Sequence, residues 1–382
     1  MKKTKKTVKK QGNLRFSTVF VLLSSILVLT IGIIGFVLAS FNLSLSNVLG
    51  IEITQQQLEA KVIASKLAEA DKYLLENPRP ISKISMEGKL GNDPDRLKTV
   101  ESLKDVWKVY TLGFAYNQTK DSKYSSKAYA FMNAWVPVYK TTGNSIDESH
   151  LVPMIKGYTW FRPSLDSASR SRIDNWLISI GQKELAIKYN DGRDLNNWNS
   201  HRVQLITLIG LTTDNAELAS KGIVEFKKQI DQNLKTDGTS LDFVERDALH
   251  YHVYNLMPLV SLAREARNKG VDLFTYTSSS GASIKKSVDF LIPYVNGQKK
   301  HAEFVNSTAA WDKTASASKT NKNYDPQNSL ELLETYFYFD QSILPIIQKL
   351  RNNTSPVPSF EVLLASRQAA QASIFTKTLD NK

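Results

Sequence analysis

The chain has 382 residues, no cysteine and a formal charge of +12, and 42% of its residues are hydrophobic. This length and hydrophobic content are typical of a globular protein with a large core. Seven of the positive charges lie in the first 15 residues, which leaves +5 for the rest of the chain. The sequence therefore lacks the dense basic stripe of a nucleic-acid-binding protein, and we expect no nucleic-acid partner. Without cysteine, disulfides, thiolate metal sites and cysteine nucleophiles are excluded.

The N-terminal region predicts a route out of the cytoplasm. Residues 1–15 are basic, and residues 16–41 are uncharged and rich in Val, Leu, Ile and Phe. Twenty-six residues form roughly 39 Å of helix, which is enough to cross a hydrocarbon core of ~30 Å. The basic flank predicts a cytoplasmic N-terminus. We expect an uncleaved signal anchor, with a signal peptide cleaved after Ala39 as the alternative. In both cases the main domain lies in the periplasm or outside the cell, and it is secreted if cleavage occurs.

Beyond residue 50 the apolar residues recur every three or four positions, which is typical of amphipathic helices. The predicted helices cover residues 53–76, 96–116, 124–139, 146–160, 167–189, 214–234, 243–268, 283–294, 329–350 and 360–375, and one more begins at residue 196 or 197. Strand patterns are nearly absent. Long helices joined by short loops predict an all-α fold, an α/α toroid (an incomplete α/α barrel) of paired antiparallel helices. We expect one domain over residues 50–382.

The predicted helix 243–268 concentrates groups that can transfer protons. Five such side chains lie within nine residues: Arg246, His250, Tyr251, His252 and Tyr254. Helical spacing places Asp247 on one face with Tyr251 and Tyr254, and Arg246 on an adjacent face with His250. A tyrosine beside a positive charge is a candidate proton donor, because that charge lowers the pKa of the phenol. The alternative is a set of packed aromatic residues, and His252 in particular is a candidate for packing.

A second polar stretch, at residues 194–202, opens the helix that begins near residue 196. Asn197 and His201 are four residues apart and share a helix face, where an amide and an imidazole can bind a carboxylate. Asn196 is a candidate substrate contact or simply the helix cap. Trp198 offers a flat face for a sugar ring or is a core residue, and Arg202 is a further candidate substrate contact.

Other chemistries have weaker signals. His250 and His252 point away from each other on a helix, and the chain has no His-Glu-x-x-His motif, so we expect no metal site. A glycoside hydrolase needs only two carboxylates, and this alternative stays open. The available carboxylates are Asp147, Glu148, Asp242, Glu245 and Asp247. The stretches 146–150 and 299–303 are candidate cleft walls, with helix caps or solvated faces as the alternative.

Two motifs resemble the alginate lyase family of α/α-barrel polysaccharide lyases. The stretch ALHYHVYNLMPL at residues 248–259 is similar to the family pattern Ala-Leu-x-Tyr-His-x-Tyr-x-Leu-x-Pro-Leu. The stretch GFAYNQTKDSKY at residues 113–124 resembles a helix–turn–helix segment of the same family. The resemblance covers residues 55–300 and implies the α/α toroid and an anionic polysaccharide substrate.

The chain departs from the family pattern at two places. The family has contiguous Asn-Asn-His, whereas residues 198–200 separate Asn197 from His201 here. Val244 and Asp247 stand where the family has arginines, so Arg246 and Arg202 are the available substitutes.

The resemblance implies β-elimination on a uronic-acid-containing polysaccharide, without cofactor or metal. Tyr251, His201, Asn197 and Arg246 are then the expected catalytic residues. The expected substrate contacts are Asn196, Trp198, Arg202, His250 and Tyr254. Two alternatives remain: a membrane-anchored uronate-binding protein with little or no catalysis, and a helical scaffold that binds no glycan.

Overall fold

The computed structural model describes residues 54–309, 312, 322–352 and 358–380. The predicted basic segment 1–15 and the predicted membrane segment 16–41 lie outside these residues. The chain divides into two compact units, 1–58 and 59–382, and only residues 54–58 of the first are described, where the first helix begins. Within the described ranges, no helix has both the length and the apolar character needed to span a bilayer.

The described residues form an all-α protein, which confirms the predicted fold class. The helices are α1 Gln55–Tyr73, α2 Pro94–Thr119, α3 Ser122–Trp135, α4 Ser145–Glu148, α5 Val152–Phe161, α6 Ser167–Ala186, α7 Asn197–Thr213, α8 Ala216–Asn233, α9 Leu241–Arg246, α10 Leu249–Arg267, α11 Ile284–Val295, α12 Leu330–Tyr336, α13 Leu344–Leu350 and α14 Phe360–Asp380. Instead of strands, the described ranges contain two isolated β-bridges.

Helix α7 lies at the centre of the second unit and is buried on nearly every side. It packs antiparallel to α8, and glycines allow the close approach. A Cβ on Gly210 would lie 2.3 Å from the backbone nitrogen of Ala219, and one on Gly222 would meet the backbone of Thr207 at 2.8 Å. The close contact of α7 and α8 therefore depends on these two missing side chains.

Helices α5, α7 and α10 run parallel and begin at the same end of the fold. Near their starts, the Ser200 hydroxyl of α7 donates to the Asn255 amide oxygen of α10 at 2.5 Å. Near their ends, the hydroxyls of Thr159 in α5 and Thr212 in α7 lie 3.2 Å apart. Three helix N-termini, each carrying partial positive charge, therefore meet on one side of the unit.

The predicted continuous helix 243–268 is wrong. The chain forms α9, leaves the helix at Asp247 with a left-handed φ of 47°, passes through extended Ala248 and begins α10 at Leu249. The predicted shared helix face of Asp247, Tyr251 and Tyr254 therefore does not exist. Tertiary hydrogen bonds compensate the break, because the Asp247 carbonyl accepts the Phe304 N–H at 2.7 Å.

Two other predicted helices are interrupted by tighter turns. Residues 146–160 contain α4, a 3-10 turn at Ser149–Leu151 and α5. Residues 329–350 contain α12, a 3-10 turn at Gln341–Ile343 and α13. Proline at the second position of α5 and of α13 fits this pattern, because proline suits the first turn of a helix and not its interior.

Candidate active site

The two polar stretches meet at the start of α7. Asp242 of α9 is 1% exposed, and one of its oxygens accepts the Asn197 backbone N–H at 2.9 Å and the Asn197 side-chain amide at 2.6 Å. Its other oxygen accepts the Asn233 amide at 2.8 Å. Burial raises the pKa of this carboxyl against the lowering effect of the three donors. The Asp242 network thus fixes the N-terminus of α7 against α9, and one hydrogen of the Asn197 amide is already used.

His201 is the most unusual side chain of the site. It is 7% exposed, and neither ring nitrogen has a hydrogen-bond partner among the described residues. Its ring lies 4.6 Å from that of Tyr254. Burial, aided by the nearby charge of His150 and opposed by the backbone of Tyr254, lowers the pKa of His201 to about 3. The imidazole is therefore neutral at physiological pH, and a buried polar group without a partner costs stability.

Tyr251 is half-buried at the start of α10. The Arg246 guanidinium lies 3.8 Å above the ring centre, and the Phe304 ring meets it edge-on at 6.0 Å. Burial raises the pKa of the Tyr251 phenol, the Arg246 charge opposes that rise, and the Asp312 charge adds to it. Tyr251 is therefore a protonated phenol at neutral pH.

The remaining aromatic groups of α10 divide into two environments. His250 is exposed, with its ring 5.3 Å from that of Tyr251 and parallel to that of Tyr254 at 6.4 Å. Burial raises the pKa of Tyr254. His252 is fully buried and fits the packing alternative, because its ring nitrogens lie 2.9 Å from the Ser240 hydroxyl and 3.0 Å from the Ser287 carbonyl.

The predicted arginines have internal partners. Arg246 forms a two-point ion pair with Asp312. Arg202 is buried, donates to Asn199 at 2.8 Å and pairs with Glu225 at 3.2 Å. Val244, where the family pattern has arginine, is 56% exposed.

The start of α7 also carries an aromatic group at the protein surface. The Asn196 side chain caps α7 through the Trp198 N–H at 3.0 Å, which fits the capping alternative. Trp198 and Tyr189 meet edge-to-face at 6.1 Å. The Arg193 guanidinium lies 4.8 Å from the Trp198 ring centre and 4.7 Å from that of Tyr189. Neither Tyr189 nor Arg193 was among the site residues predicted from the sequence.

Most carboxylates available to a glycoside hydrolase are occupied by structural hydrogen bonds. Asp147 accepts the backbone N–H groups of Met86 and Glu87 at 2.8 and 2.7 Å. Glu148 accepts the N–H groups and hydroxyls of the preceding turn, residues 141–143. Asp242 is bound as described above, and Asp247 accepts the Asn306 N–H at 2.7 Å. These bonds disfavour the two-carboxylate mechanism. Among the described residues, no three His, Asp or Glu side chains are grouped closely enough to hold a metal ion.

The helix dipoles give the two ends of α5, α7 and α10 different electrostatic character. A cavity of about 1310 Å³ lies at the far ends of α5, α7 and α10 and is lined by Lys156, Trp160, Thr212 and Glu265, among others. It contains none of the predicted site residues. Thr212 lies eleven positions after His201 along α7, which corresponds to roughly 16 Å of helix. The helix N-termini favour an anion at the His201 end, while the cavity has its own cationic lining in Lys156, Arg267, Lys269 and Arg367.

Three further residues of the site are placed by tertiary structure, two of them in the stretches 146–150 and 299–303 that were candidate cleft walls. His150 precedes α5 and lies close enough to His201 to lower its pKa. Glu303 caps α10 by accepting the Leu249 and His250 N–H groups at 3.0 and 3.3 Å, which fits the cap alternative for that stretch. Asp312 pairs with Arg246 across 66 positions. Spacing in the sequence carries no signal for contacts of this separation.

Comparison with known proteins agrees with this architecture. An alginate lyase from Bacteroides ovatus superposes with a TM-score of 0.60 at 20% identity, over 81% of this chain and 93% of that one. An alginate lyase from Sphingomonas species A1 gives a TM-score of 0.53 at 19% identity, over 73% of this chain and 87% of that one. A structure of that enzyme in complex with a tetrasaccharide gives the same TM-score. The fold is therefore the α/α toroid of these alginate lyases.

The sequence comparisons identify the family. The model of the family described as alginate lyase matches residues 53–301, about two thirds of the chain. The chain belongs to the alginate lyase family, as its motifs had indicated. A polysaccharide lyase from Stenotrophomonas maltophilia is 35% identical over 144 residues, and the match spans 37% of this chain and 41% of that relative.

Proposed function

We propose that this protein is a polysaccharide lyase that cleaves a uronic-acid-containing polysaccharide by β-elimination. The observation that carries the proposal is a pair of groups beside Tyr254, His201 at 4.6 Å and Tyr251 at 6.5 Å between ring centres, whose pKa values are shifted in opposite directions. His201 is neutral and has no partner among the described residues, whereas Tyr251 is a protonated phenol. Environments that push two pKa values apart define a base and an acid.

In this mechanism His201 accepts the C5 proton of the uronate. The electrons of the C5–H bond form the C4–C5 double bond, the C4–O4 bond breaks, and the departing O4 takes the proton of Tyr251. A base whose conjugate acid has a pKa of about 3 is weak in the empty site. The substrate carboxylate strengthens it, because a negative charge within a few Å raises the pKa of an imidazole.

The C6 carboxylate must be stabilised as negative charge develops on it. The N-termini of α5, α7 and α10 supply partial positive charge. We assign direct contacts to the second amide hydrogen of Asn197 and to the guanidinium hydrogens of Arg246 that do not face Asp312. Trp198, Tyr254 and His250 would contact the sugar rings, and Asn196 and Arg202 would support the start of α7.

The test is an absorbance assay for the unsaturated product. Purified protein is screened against alginate, polymannuronate, polyguluronate, glucuronan, hyaluronan and heparin. We expect an ultraviolet-absorbing product from at least one polymer, and a loss of at least about 100-fold in kcat for Tyr251→Phe and His201→Gln. Tyr276→Phe is the control, because its hydroxyl makes one exposed hydrogen bond, to Asp231 at 2.9 Å.

Three outcomes would contradict all or part of the proposal. If no uronate polymer yields an absorbing product, the protein is not this lyase. Uronate affinity that survives Tyr251→Phe without any product would instead support the binding-protein alternative. Full activity in both site variants would exclude His201 and Tyr251 as base and acid.

We also propose that residues 16–41 hold the catalytic unit outside the cytoplasm, where such polymers are found. The support is the uncharged apolar run behind a basic N-terminus. Protease digestion of spheroplasts, whose outer layers have been removed, would cleave a periplasmic or external unit and would leave a cytoplasmic one intact.

A further inference from the structure

A short segment, residues 303–308, is fastened onto the break between α9 and α10. Glu303 caps α10, and Phe304 N–H binds the Asp247 carbonyl at 2.7 Å. Thr308 N–H binds the Glu245 carbonyl at 2.8 Å. We call residues 303–308 the clasp. Its contacts lie on both sides of the break, so the clasp holds Arg246 of α9 and Tyr251 of α10 in fixed relation.

Asp312 lies four residues beyond the clasp, and its side chain contacts Arg246 beside the break between α9 and α10. Its carboxylate pairs with Nε and Nη2 of Arg246, and the Ser307 hydroxyl donates to it at 2.7 Å. The Asp312 side chain is 7% exposed and that of Arg246 is 16% exposed. A two-point pair in such a site is little screened by solvent and restricts the orientation of the planar guanidinium.

The same guanidinium covers the face of Tyr251 at 3.8 Å. Arginine has several rotatable bonds and loses much conformational freedom when it is held in one orientation. A cation over a phenol ring acts on the phenol's acidity only while it stays there. The residue that holds the guanidinium in place therefore controls its effect on Tyr251.

We propose that Asp312 is a positioning residue for the elimination reaction, which fixes the Arg246 guanidinium against Tyr251 and so sets the strength of Tyr251 as a proton donor. This proposal rests on the proposed lyase function. Asp312 does not contact the substrate in this scheme, and it acts through Arg246.

Two substitutions separate the charge of Asp312 from its hold on Arg246. Asp312→Asn keeps one acceptor for the guanidinium and removes the negative charge, so the Arg246 charge acts on Tyr251 uncompensated. The pKa of Tyr251 should then fall by about one unit. Asp312→Ala removes the acceptor as well, Arg246 is released, and the pKa of Tyr251 should not fall. The other titratable groups facing Tyr251, Asp242 and His250, are the same in both variants.

The experiment measures the ionisation of Tyr251 directly. The protein is labelled with 3-fluorotyrosine, and the Tyr251 signal in the ¹⁹F spectrum is the one that Tyr251→Phe lacks. Its pKa is read from pH titrations of wild type, both Asp312 variants and Asp289→Asn. Asp289 forms an exposed ion pair with Lys285 at 2.7 Å, so its replacement serves as a matched control.

Kinetics give the second readout. Because the proposed acid must keep its proton, the alkaline limb of kcat should move down by about one pH unit in Asp312→Asn. In Asp312→Ala, kcat should fall on the order of tenfold because the placement of the acid is disturbed, and KM should rise as well because the released Arg246 also contacts the substrate carboxylate. Asp289→Asn should change neither quantity.

The outcomes are distinct. An unchanged Tyr251 pKa in Asp312→Asn, or the same change in both Asp312 variants, would overturn the positioning role. Equal losses of thermal stability in both variants, with an unchanged pKa, would show a purely structural clasp. If the wild type eliminates no uronate, the proposed function fails, but the ¹⁹F titration still decides whether Asp312 controls Tyr251.

Discussion

Replacing His201 with leucine should stabilise the protein while abolishing its activity. The native imidazole is 7% exposed and lacks a hydrogen-bond partner for either nitrogen among the described residues. Leucine removes two unsatisfied polar atoms, which should add about 1 kcal/mol to the free energy of unfolding at pH 7.5. Residues that cost stability are expected where function requires them.

The same substitution has a larger effect in acid. Burial lowers the pKa of His201 from 6.5 to about 3, so the unfolded chain binds a proton that the folded chain excludes between these values. This ionisation therefore leaves the stability of the protein unchanged above pH 6.5 and lowers it progressively as the pH falls from 6.5 toward 3. At pH 4.5, two units below the unfolded pKa, the loss is roughly 3 kcal/mol at about 1.4 kcal/mol per unit. His201→Leu should recover it.

The assay is urea unfolding at pH 7.5 and pH 4.5, with His252→Leu as the matched control. His252 is also buried with a lowered pKa, about 4, but its ring nitrogens have partners, Ser240 and Ser287. Its replacement should destabilise the protein at pH 7.5, because two buried groups lose their partner. If His201→Leu is less stable than wild type at pH 7.5, or shows the same loss between pH 7.5 and pH 4.5, then His201 is not a buried, unpartnered, neutral imidazole.

Three further substitutions test the framework around the site. Burial beside another carboxylate raises the pKa of Glu184, so the folded state keeps this proton and the stability of the protein falls as the pH rises above the ordinary carboxyl range. Glu184→Gln should flatten that decline between pH 5 and pH 8 in urea unfolding. An unchanged dependence of stability on pH would contradict the buried acid. Asp242→Ala should lower the free energy of unfolding by about 4 kcal/mol in the same assay, because three donors of Asn197 and Asn233 lose their acceptor. A loss below about 1 kcal/mol would show that water replaces the carboxylate. Gly210→Ala should lower the free energy of unfolding by about 3 kcal/mol, because the added Cβ would lie 2.3 Å from the α8 backbone. An unchanged free energy of unfolding would mean that α7 and α8 can move apart at little cost.

Local sequence was sufficient for the elements that depend on neighbouring residues. Apolar periodicity predicted α2, α3, α6, α8 and α11 within a few residues of their ends, because burying one apolar face supplies most of the stability of such helices. Asn196 is an example at the level of a single residue, because a helix cap bonds its own helix and needs no distant partner. The Tyr-His-x-Tyr motif was enough to indicate the family.

Tertiary structure decided the arrangement of the site. The break at Asp247 could not be predicted, because the groups that stabilise it, Glu303 and Phe304, lie more than 50 residues further along the chain. Arg246 reaches Tyr251 across that break instead of along one helix, and it does so paired with Asp312. The protonation of His201 and Tyr251 depends on burial and on charges brought together by folding, and neither is encoded in local spacing.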